Sequence, residues 1–290
     1  MHVLVTGASG WIGSAVVPEL LSAGHTVEGL ARSEESARRI GSLGAAVRRG
    51  DLSDTATLAE GAAAADGVVH LGYHHDFSQM AEAADLDRAT LGVFGDALAG
   101  TGRPLLFASG VLGVRTEADR PESGGHPRIA NAAAALALAD RGVRPVALRF
   151  APTVHGRGDH GFVATLAQVA RERGVSAYVG DGSNVWPAVH RSDAGRLVAL
   201  ALQGAPAGAA VHAVAESGVA TRDIAEAIGR GLGLPVESVP EARAAEHFGW
   251  IGMFFAGDFP VSSEATRALL GWEPTGPTLL EDLAAGYYTA

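Results

Sequence analysis

Thr6-Gly7-Ala8-Ser9-Gly10-Trp11-Ile12-Gly13 lies between a short apolar run and an amphipathic stretch, with glycines spaced G-x-x-G-x-x-G. That spacing suits a phosphate cradle. Gly7 permits a tight turn, Gly10 lets backbone approach a pyrophosphate, and Gly13 lets a helix pack close to a sheet. Ser9, Trp11 and Ile12 sit at the helix start, whose N–H groups are expected to face the phosphates. Arg32-Ser33 closes the next strand. Sites selective for NAD carry an acidic residue there for the ribose 2′-OH. Arg32 instead offers a cation and a planar fork for a 2′-phosphate, and Ser33 a hydroxyl. The plainer reading of Arg32 is a solvated surface residue. Asp51-Leu52 stands where an adenine contact is expected, and Leu71-Gly72 close to the nicotinamide ribose. NADP(H) is therefore the expected cofactor.

Tyr73-His74-His75-Asp76 brings a phenol, two imidazoles and a carboxylate to the C-terminal edge of a sheet, where open α/β sheets bind ligands. Tyr73 and His74 have the chemistry of a general acid. The alternative is a polar loop in which Asp76 caps a helix over 77–84. No metal site is expected: adjacent histidines do not share a helical face, there is no H-E-x-x-H, and the chain has no cysteine. Ser109 lies in FASGV, outside any G-x-S-x-G elbow, which argues against a hydrolase triad.

These residues need a parallel sheet to position them. Runs at His2–Thr6, Thr26–Leu30, Ala46–Arg49, Gly67–Leu71, Leu105–Ser109 and Arg144–Phe150 read as buried strands, and Val211–Val214 as a further one. Helical patterns fall at Trp11–Ala23, Glu34–Leu43, Leu58–Ala64, Ala89–Leu98 and Ile129–Ala139. Strands alternating with helices imply an α/β fold, a doubly wound Rossmann sheet. Residues 1–152, with 190–215, form the expected dinucleotide-binding domain. Residues 153–290 form mainly a smaller substrate lobe holding most of the aromatics. The cluster at 247–255 reads either as a mobile lid over an apolar ligand or as that lobe's own core.

A chain of 290 residues, 47% hydrophobic and 19% charged, buries a sizeable core. Its formal net charge of −10 repels phosphate backbones, so nucleic acid is not an expected partner. No apolar run is long enough for a membrane span and no signal peptide is visible, so the expected location is cytoplasmic. All 22 basic residues are arginine. Mechanisms that require a lysine amine are excluded.

TGASGWIG at 6–13, GDLSD at 50–54, VVHLG at 68–72, FAS at 107–109, LRFAPTVHG at 148–156, PAVHRSD at 187–193 and GWEP at 271–274 together resemble the extended short-chain dehydrogenase/reductases, the NAD-dependent epimerase/dehydratase family. The resemblance implies cofactor contacts from Pro152 and Val154. It also implies a catalytic serine after the fifth strand, which Ser109 matches. The family's tyrosine, and the lysine four residues after it, fall on Arg128 and Ala132. No tyrosine occurs between Tyr73 and Tyr178. The chain thus resembles an atypical member in which the usual proton relay is absent. Arg128, permanently charged, suits oxyanion stabilisation better than proton donation, and a helix-surface role is its plainer reading. His155, Trp186, His190 and Trp250 are candidate substrate contacts, each with a structural alternative.

Three functions remain open at this point. The first is an NADPH-dependent reductase of a C=O or C=N group on an apolar or aromatic small molecule. The second is a non-catalytic NADP(H) sensor, and the third an isomerase or cyclase without redox chemistry. A homodimer through the helices around Ala89–Leu98 and Ile129–Ala139 is the expected assembly, with Ala130, Ala134 and Ala137 as a small-residue face.

Overall fold

The computed structural model describes residues 1–74, 80–122 and 126–289. Its elements in chain order are β1 (His2–Thr6), α1 (Gly13–Ser22), β2 (Thr26–Ala31), α2 (Glu34–Ser42), β3 (Ala46–Arg49), α3 (Thr55–Ala64), β4 (Gly67–His70), α4 (Met80–Leu98), β5 (Pro104–Gly110), α5 (Pro127–Leu136) and β6 (Arg144–Phe150). They continue as β7 (Thr153–His155), α6 (Phe162–Arg173), β8 (Ser176–Val179), β9 (Val185–His190), α7 (Arg191–Gly204), β10 (Ala209–Ala213), β11 (Glu216–Ala220) and α8 (Thr221–Leu232). The last are β12 (Val236–Val239), α9 (Ala244–Phe248), α10 (Gly252–Phe255), α11 (Glu264–Leu270) and α12 (Leu279–Ala284).

Two units result. The first comprises Met1–Arg149, Ala194–His212 and Glu264–Trp272, and the second Phe150–Asp193, Ala213–Ser263 and Glu273–Ala290. The first unit carries a seven-stranded sheet in the order β10-β6-β5-β4-β1-β2-β3. β1 runs parallel to β2 and β4, as do β2 to β3 and β4 to β5. Strand order reverses between β1 and β4. In doubly wound sheets the ligand crevice opens at such a switch point, outside the carboxyl ends of the strands. Val3, Leu4 and Val5 of β1 have no exposed surface. Leu4 packs with Leu58, Leu98 and Leu105, so helices α3 and α4 bury one face of the sheet.

Local chemistry sets the helix starts. Ser33 accepts a hydrogen bond from Ser36 N at 3.1 Å and caps α2. Asp54 accepts one from Thr57 N at 3.1 Å and caps α3, which starts three residues before the apolar spacing indicates. No side chain caps α1. The pattern at Ile129–Ala139 is one helix only to Leu136. It then tightens into a 3₁₀ turn over Ala137–Arg141, closed by Gly142 at φ 71°. The expected cap Asp76, with His75, lies outside the described residues, and α4 runs from Met80.

The segment 264–272 falls in the first unit, although the sequence reading places it in the substrate lobe. The cause is a buried hydrogen-bond cluster. Thr266 donates both N–H and O–H to Glu117, each at 2.7 Å, and its hydroxyl oxygen accepts from His212 N at 2.8 Å.

The second unit holds a three-stranded sheet, β11-β9-β7, and a parallel pair, β12-β8. Its core packs Val163, Leu166, Trp186, Ile228, Phe248 and Phe255. Among the described residues no helix is long and apolar enough to cross a membrane.

Candidate cofactor and active site

The turn after β1 is built on close approach. Gly7 has φ +68°, and a Cβ there would stand 2.7 Å from Gly72 N and from Leu71 C. A Cβ on Gly13 would stand 2.0 Å from Gly7 O. The turns after β1 and β4 therefore touch, which brings Gly7, Leu71 and Gly72 together. Leu52 joins them, since a Cβ on Gly72 would meet its Cδ2 at 3.3 Å. Gly10 N donates to Gly7 O at 2.9 Å and closes the loop. Gly10 is exposed, while Ser9, Trp11 and Ile12 are half-buried around it. Helix α1 starts here without a side-chain cap and without an acidic residue in its first turn. Its positive end suits an incoming phosphate. These residues fit a dinucleotide.

Arg32 and Ser33 follow β2 and are exposed. Arg49, not Arg32, pairs with Glu34 at 2.7 Å. Ser33's hydroxyl oxygen serves the α2 cap. Asp51 is exposed and accepts from both Ser53 N and Ser53 Oγ, bonds that hold its carboxyl below the usual range. His74, also exposed, adds a smaller effect in the same direction.

Tyr73 and Arg128 meet. The guanidinium carbon lies 3.9 Å from the centre of the phenol ring, a cation–π stack. Burial raises the Tyr73 pKa, which the Arg128 charge only partly offsets, so the phenol keeps its proton at neutral pH. Ser109 is half-buried at the end of β5.

A buried chain lies beneath this pair. Thr6 Oγ1 and His70 Nδ1 are 2.6 Å apart, and Gly72 N donates to the same hydroxyl oxygen at 3.1 Å. His70 Nε2 lies 3.2 Å from Asp87 Oδ1. Asn131 Nδ2 donates to Asp87 Oδ2 at 2.8 Å and to Ala84 O at 2.7 Å. Sequence reasoning missed this chain. The available signal was Asp87 itself, a carboxylate on the stripe of Ala83, Ala84, Thr90, Leu91 and Phe94 that α4 buries.

In the second unit, His155 and Trp186 have no exposed surface. Trp186 is core. His155 Nδ1 donates to Asp282 Oδ2 at 2.6 Å, and burial pushes its pKa down despite that carboxylate, so the contact is a hydrogen bond from a neutral ring. His190 packs edge-on against His155 with ring centres 5.5 Å apart, and its Nδ1 meets Ser192 Oγ at 2.7 Å. Asp193 of the PAVHRSD segment accepts from Thr275 N and Gly276 N at 3.0 and 2.9 Å. Trp250 is 42% exposed and packs on Phe162 with Phe254. Pro152 is half-buried and Val154 buried, and both belong to this unit. Among the described residues no histidine–carboxylate group has the geometry of a metal site.

A glycine cradle at the switch point of a doubly wound sheet defines a Rossmann-type nucleotide-binding protein. The sequence profile of the NAD dependent epimerase/dehydratase family matches residues 3–95. An uncharacterized protein of Schizosaccharomyces pombe is 46% identical over 99% of this chain and 100% of its own length. One of Saccharomyces cerevisiae is 43% identical over 99% of each. Among solved structures, Pal from Bacillus thuringiensis superposes with a TM-score of 0.78 at 18% identity, covering 99% of this chain and 98% of that one. The UDP-glucose 4-epimerase of Thermotoga maritima gives 0.75 at 20% identity, covering 99% and 97%. The chain belongs to the NAD-dependent epimerase/dehydratase family.

Proposed function

We propose that this protein is an NADP(H)-dependent oxidoreductase that reduces the carbonyl, or imine, of an apolar or aromatic small molecule. The observation that carries the reading is the Tyr73–Arg128 stack beside the glycine cradle. It offers a protonated phenol and a fixed cation, the two kinds of group that the family's tyrosine and lysine provide. When bound, the nicotinamide supplies the hydride. Gly7, Gly10, Gly13 and the start of α1 hold the pyrophosphate, and Arg32 takes the 2′-phosphate. Ser109 donates a hydrogen bond to the acceptor oxygen, and Tyr73 delivers the proton with Arg128 stabilising the charge it leaves. A ketoreductase of Stigmatella aurantiaca is 40% identical over 70 residues, 24% of this chain, which favours a carbonyl acceptor. Trp250 and Met253, the latter 76% exposed, offer apolar surface in the second unit. The test follows NADPH absorbance against a panel of apolar and aromatic ketones. Consumption with matched alcohol formation supports the reading. Tight NADPH binding with no turnover across the panel replaces it with a sensor.

Arg32→Ala should abolish the preference for NADPH over NADH. A lost charge-assisted contact of about 1.5–3 kcal/mol weakens NADPH binding roughly ten- to a hundredfold and leaves NADH unchanged. Calorimetric titration of both cofactors reads this. Equal weakening of both removes the 2′-phosphate assignment.

A homodimer is also proposed, through α4 and α5. Ala134 and Ala137 are exposed and Ala130 half-buried on the described surface of the first unit. Light scattering should return twice the chain mass of 29.5 kDa, and a monomer at micromolar concentration excludes it.

A further inference from the structure

The buried hydrogen-bond chain links β1, β4, α4 and α5. Thr6, His70, Asp87 and Asn131 are at most 7% exposed. Thr6 Oγ1 accepts from Gly72 N and shares a proton with His70 Nδ1 at 2.6 Å. The Asp87 carboxylate can only accept, so His70 Nε2 donates to its Oδ1. Asp87 Oδ2 accepts from Asn131, whose own oxygen accepts from Arg88 Nε at 3.1 Å. The chain thus runs from the residue before Gly7 to helix α5, with a buried anion as its centre. Burial opposes that charge, but His70, Asn131 and Arg128 together outweigh it and hold the carboxyl below its usual range.

Arg128 stands one turn before Asn131 on α5, so the two share a helix face. Asp87 therefore acts on Arg128 twice. It accepts from Asn131, one turn along α5 from Arg128, and its charge favours a guanidinium nearby without a direct ion pair. With no lysine in the chain, this arginine is the cation beside the phenol.

We propose that Asp87 is a positioning residue, a buried anion that holds the Arg128 guanidinium over the Tyr73 ring and ties that pair, through His70 and Thr6, to the cofactor turn. Its consequence for turnover rests on the reductase reading above; the placement itself does not. Asp87 acts only through its neighbours His70, Asn131 and Arg128.

The test is spectroscopic, on the full chain labelled at arginine. An Arg128 side chain stacked on Tyr73 has upfield ring-current-shifted NMR signals, assigned by their loss in Arg128→Met. Tyr73→Leu sets the unstacked position. Asp87→Asn, nearly isosteric, should move the Arg128 signals to that position while the arginine signals other than those of Arg88, which bonds Asn131, stay. Asn131→Ser removes the amide but leaves the charge, and should move them part of the way. It serves alone if Asp87→Asn does not fold. With an identified carbonyl substrate, Asp87→Asn should lower kcat roughly ten- to a hundredfold with little change in KM. Arg128 signals unmoved by these substitutions, or unshifted in the native chain, overturn the proposal whatever the substrate. Signals that move as expected in a protein that never consumes NADPH uphold the placement and remove only the reductase reading.

Discussion

Gly13→Ala should weaken NADPH binding roughly ten- to a hundredfold. The added methyl would stand 2.0 Å from Gly7 O and 2.8 Å from Ala8 Cα, both backbone atoms. No rotamer change relieves a contact with backbone. Either α1 moves out from the sheet or the Gly7 turn shifts. The turn has little freedom, because Gly7 sits at φ +68° with Leu71 and Gly72 against it. Overpacking of this kind costs about 1–3 kcal/mol, and the displaced N–H groups are those proposed to hold the pyrophosphate. The dissociation constant should rise roughly ten- to a hundredfold, since 1.4 kcal/mol is tenfold. Gly41→Ala is the control. Nothing lies within 4 Å of a Cβ there, so affinity should stay unchanged and α2 gain up to about 1 kcal/mol. Fluorescence titration with NADPH reads both. Wild-type affinity in a folded Gly13→Ala protein removes the cradle from the cofactor site.

The central strands of the first unit were legible because they are buried on both faces. Val3-Leu4-Val5 and Val68-Val69 are apolar runs with a glycine two or three residues beyond, at Gly7 and Gly72. The second unit's sheets were not legible. β7 is three residues long, β9 contains Pro187, and β8 pairs with β12, whose Val236 faces Ser176 across sixty positions of chain. Pairing between distant short strands leaves no local periodicity. The aromatic cluster at 247–255 shows the same limit. Phe248 and Phe255 are core at 4% and 1% exposure, while Trp250 and Met253 face outward, so neither a lid nor a core describes the whole segment.

The cofactor turn was readable from glycine spacing because backbone geometry alone dictates it. The Tyr73–Arg128 stack was not. Its two residues were each candidates, but 55 positions separate them, and only the fold puts α5 against the loop after β4. His155 shows the opposite case. A histidine after a strand is compatible with a substrate contact, and the fold adds what spacing does not show: Asp282, far along the chain, accepts a hydrogen bond from its Nδ1 within the second unit.

Ser109→Ala should slow turnover strongly while leaving NADPH affinity nearly intact. Charge develops on the acceptor oxygen as hydride arrives, and a donor aimed at that oxygen lowers the barrier more than it lowers the ground state. Losing one such donor costs about 3 kcal/mol, or roughly a hundredfold in rate. Tyr73→Phe should cost less, about tenfold, below the roughly 10²–10⁴ usual for a general acid, because water can deliver the proton once the oxyanion is stabilised. Burial keeps the Tyr73 phenol protonated, so the wild-type rate should hold through neutral pH and fall only as the phenol ionises above its ordinary value. In Tyr73→Phe that alkaline fall should vanish. Single-turnover kinetics with an identified ketone, and cofactor affinity measured separately, give the comparison. A wild-type rate in Ser109→Ala would take the matched family serine out of the chemistry. An alkaline limb unchanged in Tyr73→Phe would assign the acid to another group, with His74 the next to substitute.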